Sequence, residues 1–179
     1  AGFPEITVRG KKGQKITLLV SESLTDEGAC NQRQTGRQHY YEYTLKGEGV
    51  ETWHPRFSYY GFRYIQVEGA VLKGQKNPHR LPVIQKIQSC FVYNSAPKVS
   101  TFQCSNRIFN EAHRLIEKAV RSNMQSVFTD CPHREKLGWL EQDHLCGPGL
   151  LYNYDLTGFL PQTLQNIADA QHANGAVPT

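Results

Sequence analysis

From residue 97 to 120 the chain reads PKVSTFQCSNRIFNEAHRLIEKAV, and here its periodicity changes. Ile108, Phe109, Ala112, Leu115, Ile116, Ala119 and Val120 recur at i, i+1, i+4, i+7, i+8, i+11 and i+12, one stripe of an α-helix. Ser105 or Asn106 can cap its first turn with a side-chain oxygen. Downstream, helical segments are predicted over 139–145, 148–154 and 161–172. Pro148 and Pro161 suit first-turn positions, where a missing N–H is no loss. Residues 130–138 carry proline, glycine and dense charge and read as loop.

Upstream of Pro97 the period is two. Ile16, Leu18 and Val20 alternate with Thr17, Leu19 and Ser21, a strand mostly buried on both faces. Tyr40–Leu45 continues the pattern, and Gly47-Glu48-Gly49 marks a turn. The densest run is Arg56–Glu68, rich in aromatic and β-branched residues, with Gly61 as a bulge or a close backbone approach. Ile84–Tyr93 is a further strand before the Ser95-Ala96-Pro97 break. Strands without intervening helices predict an antiparallel sandwich over 1–97, followed over 98–179 by the opening of an all-helical domain.

Composition narrows the classes. In 179 residues, 39% apolar and 20% charged, there is enough hydrophobic surface for a packed core. No run of 18 uncharged apolar residues exists, so no membrane partner is expected. The net charge of +4 is scattered, which argues against a nucleic-acid partner. Five cysteines without a CxxC pair suggest neither a zinc site nor a disulfide framework. The chain starts at Ala1, has Met124 as its one methionine, and stops soon after Asn174-Gly175. It therefore reads as an excerpt of a longer protein, its sandwich incomplete at the N-terminus.

The densest polar patch is TDCPHREKLGWLEQDH, residues 129–144, with Asp130, Glu135, Glu141 and Asp143. Two carboxylates beside a cleft can divide glycoside hydrolysis: one protonates the leaving oxygen, the other activates water. Arg134 can hold a carboxylate or a sugar hydroxyl with its forked donors. Trp139 offers a flat apolar face to a sugar ring. His133 and His144, eleven residues apart with no third partner, make a poor metal pair. Cys131 beside His133 lacks the orienting group a nucleophile needs. By spacing alone, the segment reads more readily as a solvated loop. Tyr59, Tyr60, Phe62 and Tyr64 suit a sheet core, but on an exposed face they would make the sandwich a carbohydrate-binding module.

The stretch SNMQSVFTDCPHREKLGW, residues 122–139, closely resembles the signature of bacterial-type α-L-rhamnosidases, family seventy-eight of the glycoside hydrolases. In the same order, PRFSYYGFRYIQVEG, residues 55–69, resembles the sheet segment preceding the catalytic domain of that family. The resemblance implies a jelly-roll-like antiparallel β-sandwich followed by the start of an all-α toroid of six helical hairpins. It implies removal of terminal α-L-rhamnose from glycosides or polysaccharides, with inversion and with neither cofactor nor metal. Glu135 then matches the general acid, Asp130 a carboxylate that holds rhamnose hydroxyls, and Arg134 and Trp139 substrate contacts. Some members have two acidic residues after the arginine, where this chain has Glu135-Lys136, and one residue more before the tryptophan. The motif's downstream carboxylate can therefore fall on Glu141, Gln142 or Asp143, with Glu141 favoured for substrate binding. The general base is implied in a later part of the toroid, so the excerpt alone is expected to be inactive. A general acid must hold its proton, so Arg134 is expected to serve the sugar or Asp130 rather than pair with Glu135.

Overall fold

The computed structural model describes residues 1–36 and 38–178, the side chain of Gln34 excepted. They form two compact units, 1–92 and 93–178 of the described chain.

The first unit contains β1 (Gly2–Arg9), β2 (Lys15–Ser21), β3 (Tyr40–Thr44), β4 (Val50–Trp53), β5 (Tyr64–Glu68), β6 (Val71–Leu72) and β7 (Val83–Phe91). One sheet runs β4-β1-β7-β6 and the other β3-β2-β5. Every pairing is antiparallel except β6 with β7. β1 illustrates why: Gly2, Pro4, Ile6 and Val8 are buried while the residues between them are not, the period-two signature of a half-buried strand. Ile6, Val8 and Ile84 from one sheet meet Ile16, Leu18, Val20 and Tyr41 from the other, with Leu45 closing the core. Two inward faces sharing one core make a sandwich, as expected.

The long strand expected over Arg56–Glu68 shrinks to β5, its last five residues. Phe57 adopts φ 55°, a left-handed conformation that ends any extended run, and its side chain is fully exposed. Tyr60 keeps a single bridge, exchanging 2.9 Å backbone hydrogen bonds with Gly2. Its ring stacks on buried His39 at 4.1 Å and packs against the core.

The passage from β3 to β4 crosses between sheets and hinges on Glu51. This buried carboxylate accepts Tyr43 Oη–H at 2.6 Å and the N–H groups of Lys46 and Gly47 at 2.9 Å each. Gly47 is required there: its φ is 84°, and a Cβ would stand 2.4 Å from the Lys12 nitrogen. The Tyr43 hydrogen bond, opposed by burial and aided by the two backbone N–H bonds and Lys46, holds the Glu51 carboxyl below its usual range.

The second unit contains α1 (Arg107–Asn123), α2 (Leu140–Asn153) and α3 (Phe159–Ala170). Asn106 caps α1, accepting the Ile108 N–H at 2.9 Å. The segments expected at 139–145 and 148–154 are one helix, with Pro148 inside it. An interior proline costs about 3 kcal/mol, and burial of Leu150 and Tyr154 just beyond it offsets that cost. α3 starts two residues ahead of Pro161. The core is Met124, Phe128, Leu150, Tyr154, Leu156 and Phe159, drawn from helix ends and connections. Most of the apolar stripe of α1 stays outside it: Val120 packs against this core, but Ile108, Phe109, Leu115 and Ile116 are 59–75% exposed and α1 buries no residue. No described helix is long and apolar enough to cross a membrane.

Glu51→Gln should lower thermal stability at neutral pH. A depressed folded-state pKa stabilises fully above the ~4.3 of an unfolded glutamate, and that contribution disappears as pH falls through the folded value. The melting-temperature gap between the native chain and the variant should therefore narrow on acidification below about pH 4. A gap independent of pH would show that the Glu51 charge does not hold the crossing.

Candidate active site

The polar segment is held at both ends. Where α1 stops, Met124 is fully buried and bridges Phe128. The Thr129 N–H donates to the Asn123 carbonyl at 3.0 Å, and Thr129 Oγ1 bonds Asn123 Oδ1 at 3.0 Å. Asp130 and Leu137 then close the loop reciprocally. The Asp130 N–H donates to the Leu137 carbonyl at 3.0 Å, and the Leu137 N–H to Asp130 Oδ1 at 3.1 Å. The same Oδ1 accepts the Cys131 N–H at 2.7 Å. At the exit, Gly138 lies so close that a Cβ would stand 3.1 Å from Val127 Cγ2. Trp139 follows as the N-cap residue of α2.

Inside the loop, the Glu135 N–H donates to Cys131 Sγ at 3.3 Å, which folds Glu135 back over Asp130. One ligand atom from each of Asp130, Cys131 and Glu135 lies within 4.8 Å of the others. Burial pushes the Asp130 carboxyl up, but more is pulled the other way. Hydrogen bonds from the Glu135 side chain, the Cys131 and Leu137 N–H groups and the Trp139 indole leave it below the usual carboxylate range. Asp130 is thus held in its charged form. This trio is the one described group with metal-ligand proximity. Its Asp130 and Cys131 atoms already accept the loop's own N–H groups.

Three residues singled out in the sequence meet here: Asp130, Glu135 and Trp139. Arg134 joins them differently from expectation. Its Nη2 pairs with Glu135 Oε1 at 3.1 Å, because the two are adjacent in a tight loop. The pair is well exposed, at 57% and 37%, so it is worth about 0–1 kcal/mol and is easily exchanged. Glu141 stands exposed in the first turn of α2 and is not part of the Asp130–Cys131–Glu135 trio. Asp143, in the same turn, is half-buried; burial raises its carboxyl, and its Oδ1 has no hydrogen-bond partner. Cys131 was visible in the sequence as a poor nucleophile, not as the acceptor that shapes the loop. Its i, i+4 spacing to Glu135 was the available signal.

Comparison with known proteins agrees in both units. The family model described as the bacterial alpha-L-rhamnosidase concanavalin-like domain matches residues 1–93, and that of the bacterial alpha-L-rhamnosidase 6 hairpin glycosidase domain matches 97–179. An alpha-L-rhamnosidase of Formosa agariphila is 32% identical over 93% of this chain, which spans 17% of that protein's length. The crystal structure of the Streptomyces avermitilis alpha-L-rhamnosidase complexed with L-rhamnose matches 98% of the chain with a TM-score of 0.77 at 31% identity, over 16% of its own length. That of the native Aspergillus terreus enzyme matches 95% with a TM-score of 0.78 at 34% identity, over 19% of its own length. With a sandwich and a helical unit each matched in the family's order, the chain belongs to the bacterial α-L-rhamnosidases.

Proposed function

We propose that the protein carrying this chain removes terminal α-L-rhamnose from glycosides or polysaccharides with inversion, by general acid/base catalysis. Glu135 is the general acid. The observation that supports this reading is the short loop that brings a Glu135 side-chain atom within 4.8 Å of Asp130, beside Trp139. In this reading Glu135 hands a proton to the glycosidic oxygen, while Asp130, held charged by the loop's N–H groups, binds the sugar.

Asp130 is a binding group in this reading and not the second catalytic carboxylate. Inverting enzymes keep their two carboxyls about 6.5–9.5 Å apart, so that a water fits behind the sugar. Asp130 and Glu135 place ligand atoms within 4.8 Å of each other, leaving no space for sugar and water between them. Asp130 therefore holds rhamnose hydroxyls, and the general base comes from outside these residues. Arg134 exchanges its weak pair with Glu135 for a sugar hydroxyl when substrate arrives, and Trp139 stacks on the ring. In this reading Glu141, exposed at the start of α2, is a further substrate contact.

Glu135→Gln in the full-length protein should slow an alkyl α-L-rhamnoside by about two to four orders of magnitude. An activated aryl rhamnoside, whose phenol departs without a proton, should lose far less. Equal slowing of both would make Glu135 a binding residue and move the acid to Glu141 or Asp143.

The 179 residues by themselves should show no turnover of an aryl α-L-rhamnoside, since this reading draws the base from outside them and the α1 stripe lies open. Turnover near the full-length rate would place the whole catalytic pair within this chain. The same exposed stripe should make the isolated chain self-associate, which light scattering would detect.

A further inference from the structure

The open edge of the sandwich carries a second cluster of aromatic and cationic side chains, remote in sequence from the Asp130–Trp139 loop. β3 and β4 are edge strands of opposite sheets. Tyr43 on β3 and Trp53 on β4 stack across the gap between them, ring centroids 4.9 Å apart and planes 20° from parallel. A cavity of about 430 Å³ opens at this edge, and Tyr43, Lys46, Trp53, His54 and Arg56 are among the residues that line it. That volume is in the range of small-molecule sites, about 300–1,000 Å³.

The two rings are fixed before any ligand arrives. Both pack against the sandwich core, and Tyr43 Oη is bonded to Glu51 at 2.6 Å. Burial, that hydrogen bond and the nearby carboxylates push the Tyr43 phenol up to about 12, so it stays a neutral donor to Glu51. His54 is held as well, its ring stacked on Phe3 at 5.2 Å. A rigid aromatic wall costs little conformational entropy on binding and matches the C–H face of a pyranose ring.

The polar lining decides the class of sugar. Lys46 and Arg56 are exposed at the cavity, and among the described residues no carboxylate lines it. Glu51 lies behind Tyr43 with its oxygens taken by Tyr43, Lys46 N–H and Gly47 N–H. Cations alone could simply guard an edge strand against pairing with another chain. Cations around a preformed aromatic wall in a cavity do more. We propose that this edge cleft binds a sugar residue carrying a carboxylate, a uronic acid, with its ring on Trp53 and its carboxylate on Arg56 and Lys46. The forked guanidinium matches a carboxylate in two parallel bonds. Such a site goes beyond the hydrolytic reading and involves none of its residues. Tyr60, which the sequence offered as the sandwich's sugar contact, has no part in it because it stacks on His39 inside.

Calorimetric titration of the full-length protein with trigalacturonate, which contains no rhamnose, tests the cleft independently of turnover. Trigalacturonate should bind at least tenfold more tightly than uncharged trigalactose. Arg56→Gln, a change at an exposed side chain, should weaken binding by about tenfold or more, the usual worth of a charged hydrogen bond. Trp53→Phe, which preserves an aromatic ring in the core, should weaken both sugars together. Circular-dichroism melting of each variant reports whether it is folded. No binding, equal affinity for the charged and uncharged trimers, or undiminished binding by folded Arg56→Gln would overturn the proposal.

Discussion

The reciprocal clasp between Asp130 and Leu137 is the constraint on which the candidate site depends. One carboxylate oxygen takes two backbone N–H groups while the Asp130 N–H returns a bond to the Leu137 carbonyl. Eight residues are thereby closed into a loop stiff enough to keep Glu135 over Asp130 and the Trp139 indole against it. The same bonds that shape the loop also stabilise the Asp130 charge, so architecture and electrostatics have one cause. Lys136 adopts φ 55° to complete the turn, a strained conformation that persists because the clasp on either side imposes it.

The two units stand on different kinds of packing. In the sandwich, strands alternate inward and outward, and two sheets bury one another's apolar faces. The helical unit has a smaller core under the loop, where Phe128 and Phe159 meet edge to face at 4.8 Å. Met124 and Phe128 flank the start of the polar segment, so this core serves as the platform of the site. From the long apolar stripe of α1, Val120 packs against it while Ile108, Phe109, Leu115 and Ile116 stay open. A stripe so regular, left so open, is what a helix of a larger all-helical domain looks like apart from its neighbours.

Buried or half-buried carboxylates have three separate roles here, told apart by their partners. Glu51 is saturated with donors and pins a crossing between sheets. Asp130 is held by the loop's own N–H groups and lies against Glu135 and Trp139. Asp143 has a buried oxygen without a partner, and burial alone raises its carboxyl. Counting acidic residues would not have separated these cases. Their hydrogen-bond partners do.

Much of this was legible in the chain itself. Period two before Pro97 and the i, i+4, i+7 stripe after it specify a sheet unit and a helical unit, because side-chain direction follows backbone geometry residue by residue. The segment 122–139 named the family and the cluster of Asp130, Glu135 and Trp139. Other features depended on contacts between residues far apart in sequence or on backbone angles no pattern encodes. Left-handed Phe57 cut the expected strand short, and burial of Leu150 and Tyr154 carried α2 through Pro148. The Arg134–Glu135 pair, the difference between Glu141 and Asp143, and the stacking of Tyr43 on Trp53 across two sheets were likewise decided in three dimensions. A sequence records which side chains are available and on which face of an element each lies. Which of them meet, and which charge is shielded from water, follows only once the chain has packed.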